Sequence, residues 1–156
     1  MEYRKIVDVE FPEFGLEAFE KSWEWLNDPE INRLTMIGEF TKESQKKWFD
    51  GLKDRKDYFI RSMVCKGNTI GVCGLKNITE TDGEILGYIG EKEYWGKTVA
   101  IQCVEFLLDY ARFLKLDSVY AVVLHENRSV RKVLSRFGFE EEQELDDKLV
   151  MRVPLS

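Results

Sequence analysis

The chain has 156 residues, 44% hydrophobic and 33% charged, which is the size and composition of one folding unit with a buried core and not that of a disordered chain. Lys plus Arg total 23 against 29 Asp plus Glu, a formal net charge of -6, so the overall field repels polyanions and any bound anion must be held by a local device. Nucleic acid and an anionic membrane surface are therefore not expected partners.

The first residues, 2 to 9, alternate charged and apolar side chains and predict a strand, with no signal-peptide stretch and no apolar run of membrane-spanning length. Past Pro12, the spacing of Leu16, Phe19, Trp23 and Leu26 predicts a helix that stops by Asn27, because Pro29 follows. Asp28 and Pro29 read as the cap and first residue of a second helix over Glu30 to Met36. A third helix is expected after Thr41, carrying Trp48, Phe49 and Leu52.

From Tyr58 the period becomes two. YFIRSMVC and TIGVCGLKNI form a hairpin about Lys66-Gly67-Asn68, and a further turn at Asp82-Gly83 leads into EILGYIG. Lys97 to Leu116 is the clearest helix, with Val99, Cys103, Val104, Phe106, Leu107, Tyr110, Ala111 and Leu114 on one stripe and Gln102, Glu105, Asp109 and Arg112 toward water. SVYAVVL predicts a strand buried on both faces in mid-sheet. A helix through Val130, Val133, Leu134 and Phe137 stops at Gly138, and a hairpin about Asp146-Asp147 closes the chain. Cys65, Cys73 and Cys103 are odd in number and lack a C-x-x-C pair, which argues against a disulfide framework and a zinc site, and fits a reducing cytoplasm.

GEKEYWGKT, Gly90 to Thr98, looks like a phosphate loop. A Walker A loop places four residues between its glycine and Gly-Lys-Thr; here there are five, two acidic and two large, and the later apolar strand ends in His125-Glu126-Asn127 without a magnesium-binding Asp. What remains is a strand, a turn and a helix start at Gly96-Lys97, whose orphan N–H groups and positive dipole end form a seat for a pyrophosphate. The alternative is an ordinary helix start.

The order of elements, with YWGKxxA opening the long helix and NRSVRKVLSRFGF after the apolar strand, resembles the GNAT superfamily of acetyl-CoA-dependent N-acetyltransferases over nearly the whole chain. Its pyrophosphate loop falls on Trp95, Gly96, Lys97, Thr98, Val99 and Ala100; its second motif is met by Asn127, Ser129, Gly138 and Phe139. WLNDPEINRL, SQKKWF and EILGYIGEKEYWGK are similar to the branch with ribosomal-protein N-terminal and nucleotide-amino-sugar acetyltransferases. Two positions depart from the pattern: Thr98 stands where the family usually has Gly, and Leu134 where many relatives carry the Tyr that protonates the thiolate.

The resemblance implies an α/β (α+β) fold: one domain over 1–156, a single mixed, mostly antiparallel sheet of six to seven strands, and four to five flanking helices. It implies transfer from acetyl-CoA, without a metal, to a primary amine by direct attack in a cleft between EILGYIG and SVYAVVL. The expected acceptor is an amino sugar, nucleotide-linked or not; a peptide N-terminus and a catalytically weak CoA-binding module are the alternatives. Glu84, or else His125, is the candidate base, with a water relay as rival, and Ser129 is the candidate acid, its alternative role being a helix cap. Backbone around Ile89 and Gly90 is the candidate for binding the carbonyl oxygen. Tyr88, Asn127 and Arg131 join Ile89, Gly90 and residues 95–100 as candidate cofactor contacts. The protein is expected to be cytoplasmic, a monomer or homodimer.

Overall fold

The computed structural model describes residues 2–155. Within them, α1 (Leu16–Leu26), α2 (Pro29–Thr35) and α3 (Lys42–Gly51) precede the strands β1 (Phe59–Cys65), β2 (Asn68–Lys76) and β3 (Asp82–Ile89). Then come α4 (Val99–Phe113), β4 (Ser118–Leu124), α5 (Arg128–Arg136), β5 (Glu140–Leu145) and β6 (Lys148–Pro154). The six strands form one sheet in the order β1-β2-β3-β4-β6-β5, antiparallel throughout except for the β3–β4 pair. The sheet is thus mixed and mostly antiparallel.

Local chemistry sets the boundaries. Asp28 caps α2 by accepting from the N–H groups of Glu30 and Ile31, and Pro29 fills a position where no N–H is needed. Thr41 and Ser44 close a reciprocal capping box on α3. Lys66 and Gly67, both at positive φ, turn β1 into β2. Gly138, at φ +91°, ends α5.

The sheet buries both faces unequally. Alternation along β4 sends Val119, Ala121 and Val123 into the main core, where Leu107 and Ala111 of α4 and Leu134 of α5 meet them. The opposite face holds a smaller cluster, in which Trp25 and Leu26 of α1 and Ile31 of α2 pack on Val72, with Leu86 and Tyr88 beside them. Removing one fully buried leucine such as Leu107 costs on the order of 2–5 kcal/mol.

Five expectations are corrected. Residues 2 to 9 do not form a strand: the N-terminal segment meets β1 only at the isolated bridges Glu10↔Val64 and Glu13↔Arg61. Residues 6, 7 and 9 spend backbone groups on side chains of α4, and Pro12 lacks the N–H a ladder would need. The turn before β3 lies at residues 77 to 81 and not at Asp82-Gly83, because the Thr79 hydroxyl accepts from the N–H groups of Thr81 and Asp82, and Asn77 takes φ +51°. In β4 the second face is only partly buried: Leu124 is buried near α2, but Ser118, Tyr120 and Val122 are half-buried, whereas Val119, Ala121 and Val123 lie fully under α4 and α5. The buried face of α1 is Ala18, Ser22, Trp25 and Leu26, leaving Leu16 exposed. Gln102 is buried at 4% exposure and does not face water.

Candidate active site

β3 and β4 pair only at Asp82↔Ser118, Gly83↔Val119 and Glu84↔Tyr120, although both strands run on, to Ile89 and Leu124. Beyond Glu84 they part. The Gly90 N–H donates to the Ile70 carbonyl at 2.7 Å, which places Gly90 on the β2 side of the ladder. Antiparallel alternation then turns the N–H groups of Ile89 and Gly87 the other way, into the gap, while that of Tyr88 faces β2. Of the expected pair around Ile89 and Gly90, only Ile89 therefore turns a donor into the gap; Gly87, which sequence reasoning did not name, turns a second one there.

Gly90 has a different duty. A Cβ there would overlap the indole of Trp25, whose Nε1 donates to Glu91 at 3.1 Å. After a short 3-10 turn over Lys92–Tyr94, Trp95 Nε1 donates to the Ile89 carbonyl at 3.0 Å, and Gly96 takes φ +76° with open space about it. Thr98 follows at φ 66°, ψ 10°, the left-handed region that a β-branched residue rarely adopts. The first intrahelical bond of α4 runs from Gln102 N–H to the Thr98 carbonyl, and no side chain caps the helix. The N–H groups of Val99, Ala100 and Ile101 are thus the orphan donors of a helix N-terminus beside the open end of the gap.

A parted sheet with an uncapped helix start at its mouth is matched by a known family: the acetyltransferase (GNAT) domain aligns with residues 11–140. The chain belongs to this family. An uncharacterized N-acetyltransferase, p20, of Bacillus licheniformis is 30% identical over 142 residues, covering 85% of this chain and 79% of its own length. Spermidine N-acetyltransferase from Vibrio cholerae, solved with CoA and spermine, superposes with a TM-score of 0.85 at 18% identity, over 94% of this chain and 95% of that one. Campylobacter jejuni N-acetyltransferase PseH, solved with acetyl coenzyme A, gives 0.72 at 18% identity, over 96% and 100%. The protein is an acetyl-CoA-dependent N-acetyltransferase of the GNAT type. Its helix start fits that co-substrate: Gly96 carries no side chain where a phosphate would approach, and the orphan N–H groups and helix dipole are chemically suited to a pyrophosphate.

In this GNAT chain Glu84, Leu86 and Tyr88 share the α1 and α2 face of the sheet. Glu84 is mostly buried, accepts from Asn77 Nδ2 at 3.1 Å and lies 3.7 Å from Lys76 Nζ. Tyr120 stands opposite it across the last paired rung. Burial, with Glu84 and Asp82 nearby, raises the Tyr120 phenol above its ordinary value. Arg152 joins the cluster through Asp82, Ser118 and Glu142, its guanidinium 4.7 Å from the Tyr120 ring centre. The Tyr88 side chain packs edge-on against Trp25, ring centres 6.1 Å apart, so neither its ring nor its N–H faces α4.

The second motif is more dispersed. His125 sits just past β4, at the far end from Glu84, with Nε2 3.9 Å from Glu144 of β5. Arg131 is committed to the fold, donating to the His125 carbonyl at 2.8 Å and to Glu141 at 3.3 Å. Asn127, and not Ser129, caps α5, through Val130 N–H at 3.4 Å; Ser129 is exposed in the first turn. Leu134, at 1% exposure, is a core residue. Among the described residues no group of three metal-binding side chains converges, and no helix is long and apolar enough to cross a membrane.

Proposed function

We propose that the gap between β3 and β4 is the reaction site and that the acceptor is a small primary amine, an amino sugar first. The observation that supports this most is the parting of the strands at Glu84 and Tyr120, with the bare start of α4 at the open end. Bound acetyl-CoA supplies an acetyl group activated as a thioester. The residues of the chain supply the rest.

The N–H groups of Val99 and Ala100 hold the pyrophosphate, Gly96 lets it approach, and Asn127 at the head of α5 meets the amide-bearing arm. The N–H groups of Gly87 and Ile89 donate into the gap, where charge develops on the acetyl oxygen during attack. An amine whose pKa lies above the ambient pH, as an alkylamine's does at about 10.4, arrives as an ammonium without a lone pair. Glu84 faces the acceptor side of the sheet and takes that proton; about three residues of strand, roughly 10 Å, separate it from Gly87, so water relays the proton. Ser129, exposed in the first turn of α5, returns a proton to the departing thiolate.

Charge narrows the acceptor. At the closed end of the gap Asp82, Glu84 and Glu142 face Lys76 and Arg152, an excess of carboxylate that suits an ammonium and disfavours a nucleotide diphosphate. The spermine bound by the Vibrio cholerae relative supports a small amine in the same fold. A second reading, a CoA-binding module with weak turnover, is favoured by one observation: Leu134 fills core volume where a hydroxyl would be needed. Acetyl-CoA raising the melting temperature while ATP with magnesium does not is the result expected of either reading; stabilisation by ATP alone would contradict both.

A further inference from the structure

We propose that Gln102 is a positioning residue for acetyl-CoA: it ties the N-terminal segment to Thr98 and so holds a threonine in the left-handed backbone with which α4 begins. The inference rests on the reading that this helix start is the phosphate seat. Gln102 lies one turn into α4, four residues after Thr98, with its side chain buried. Its Nε2 donates to the Val7 carbonyl at 2.7 Å and lies 3.3 Å from both the carbonyl and the hydroxyl of Thr98, while its Oε1 accepts from the Val9 N–H at 3.1 Å. The Thr98 hydroxyl in turn accepts from the Ile6 N–H at 3.1 Å and donates to the Lys97 carbonyl.

The side-chain polar atoms of Gln102 and Thr98 therefore all have partners, and Gln102 is held by residues 7 and 9 while it contacts Thr98. A glycine adopts positive φ without steric cost, whereas threonine needs surroundings that over-determine it. The amide of Gln102 and the backbone of residues 6 to 9 are those surroundings. The arrangement also explains why the N-terminal segment makes no ladder: its hydrogen-bonding groups at residues 6, 7 and 9 are spent on α4. Released from the tie, Thr98 would relax toward negative φ and turn the orphan N–H groups of α4 away from the phosphate.

Calorimetric titration of acetyl-CoA into the full chain tests the coupling. Gln102→Met, which keeps the volume and removes the amide, is expected to weaken binding about tenfold, and about twofold or less in the Thr98→Gly background, where no tie is needed. Thr98→Gly alone is expected to stay within about threefold of the parent. Should Gln102→Met unfold the chain, Ile6→Pro replaces it: Ile6 is exposed, the change removes the N–H donor to Thr98 while fixing the local φ, and its weakening too should vanish with Gly at 98. Equal losses in both backgrounds, or a lowered melting temperature with unchanged affinity, would overturn the proposal. Lys97→Glu serves as the control, because a carboxylate at the exposed residue beside the helix start should repel the pyrophosphate; unchanged affinity there means that the seat itself is misplaced.

Discussion

The indole of Trp25 occupies the space that a side chain at Gly90 would need. Neither partner can retreat: Gly90 donates its N–H to Ile70, and the Trp25 nitrogen is held by Glu91. Gly90→Ala is therefore expected to destabilise the fold by roughly 1–3 kcal/mol through overpacking, with a changed tryptophan emission, as followed in thermal melts. An unaltered melt would mean that the glycine is not the seat of the indole.

Glu84→Gln keeps the shape of the residue and removes its basicity. Its kcat should fall about a hundredfold while the affinity for acetyl-CoA holds, since Glu84 lies at the closed end of the gap and the phosphate seat at the open end. His125→Ala, at the far end beside Glu144, should leave kcat within about twofold. The reverse pattern in steady-state kinetics would transfer the base role to His125.

Asn127 and Ser129 are separable in the same way. Asn127→Ala removes the cap of α5 and should cost about 1 kcal/mol of stability. Ser129→Ala should leave the melting temperature alone and lower kcat by about tenfold if the hydroxyl protonates the thiolate. A loss of stability without a loss of rate would return Ser129 to a purely structural role.

Burial pushes the Tyr88 phenol well above its ordinary value. A folded pKa above the unfolded one means that the folded state keeps a proton the unfolded chain releases. The contribution is thus complete below about pH 10 and is lost as pH rises through the folded value. Tyr88→Phe should flatten the alkaline loss of stability, seen in melts between about pH 9 and 11. An unchanged slope would place the phenol in water.

Elements governed by neighbours in sequence were legible from the chain. The period of α4, the Asp28-Pro29 start of α2, the Lys66-Gly67 turn and the Gly138 stop each rest on local rules, and all four stand where they were expected. The features on which the proposed site rests are not local. Gln102 reads as a wet position on an amphipathic helix because glutamine is mostly exposed, yet the carbonyl it meets is 95 residues away. Gly87 carries no signal at all, since its value lies in the direction of an N–H that only strand pairing fixes. Counting residues was enough to reject GEKEYWGKT as a nucleotide loop, but the reason for Gly90 had to await Trp25.

The most direct test of the proposed transfer is thiol release from acetyl-CoA across a panel of amines: free and UDP- or dTDP-linked amino sugars, polyamines and peptides with free N-termini. Acetyl-CoA-dependent release and an N-acetylated product are expected with a small amine, amino sugars foremost, and a much weaker response from the nucleotide-linked forms. Firm binding of acetyl-CoA with no release for any amine would contradict it and leave the chain a CoA-binding module.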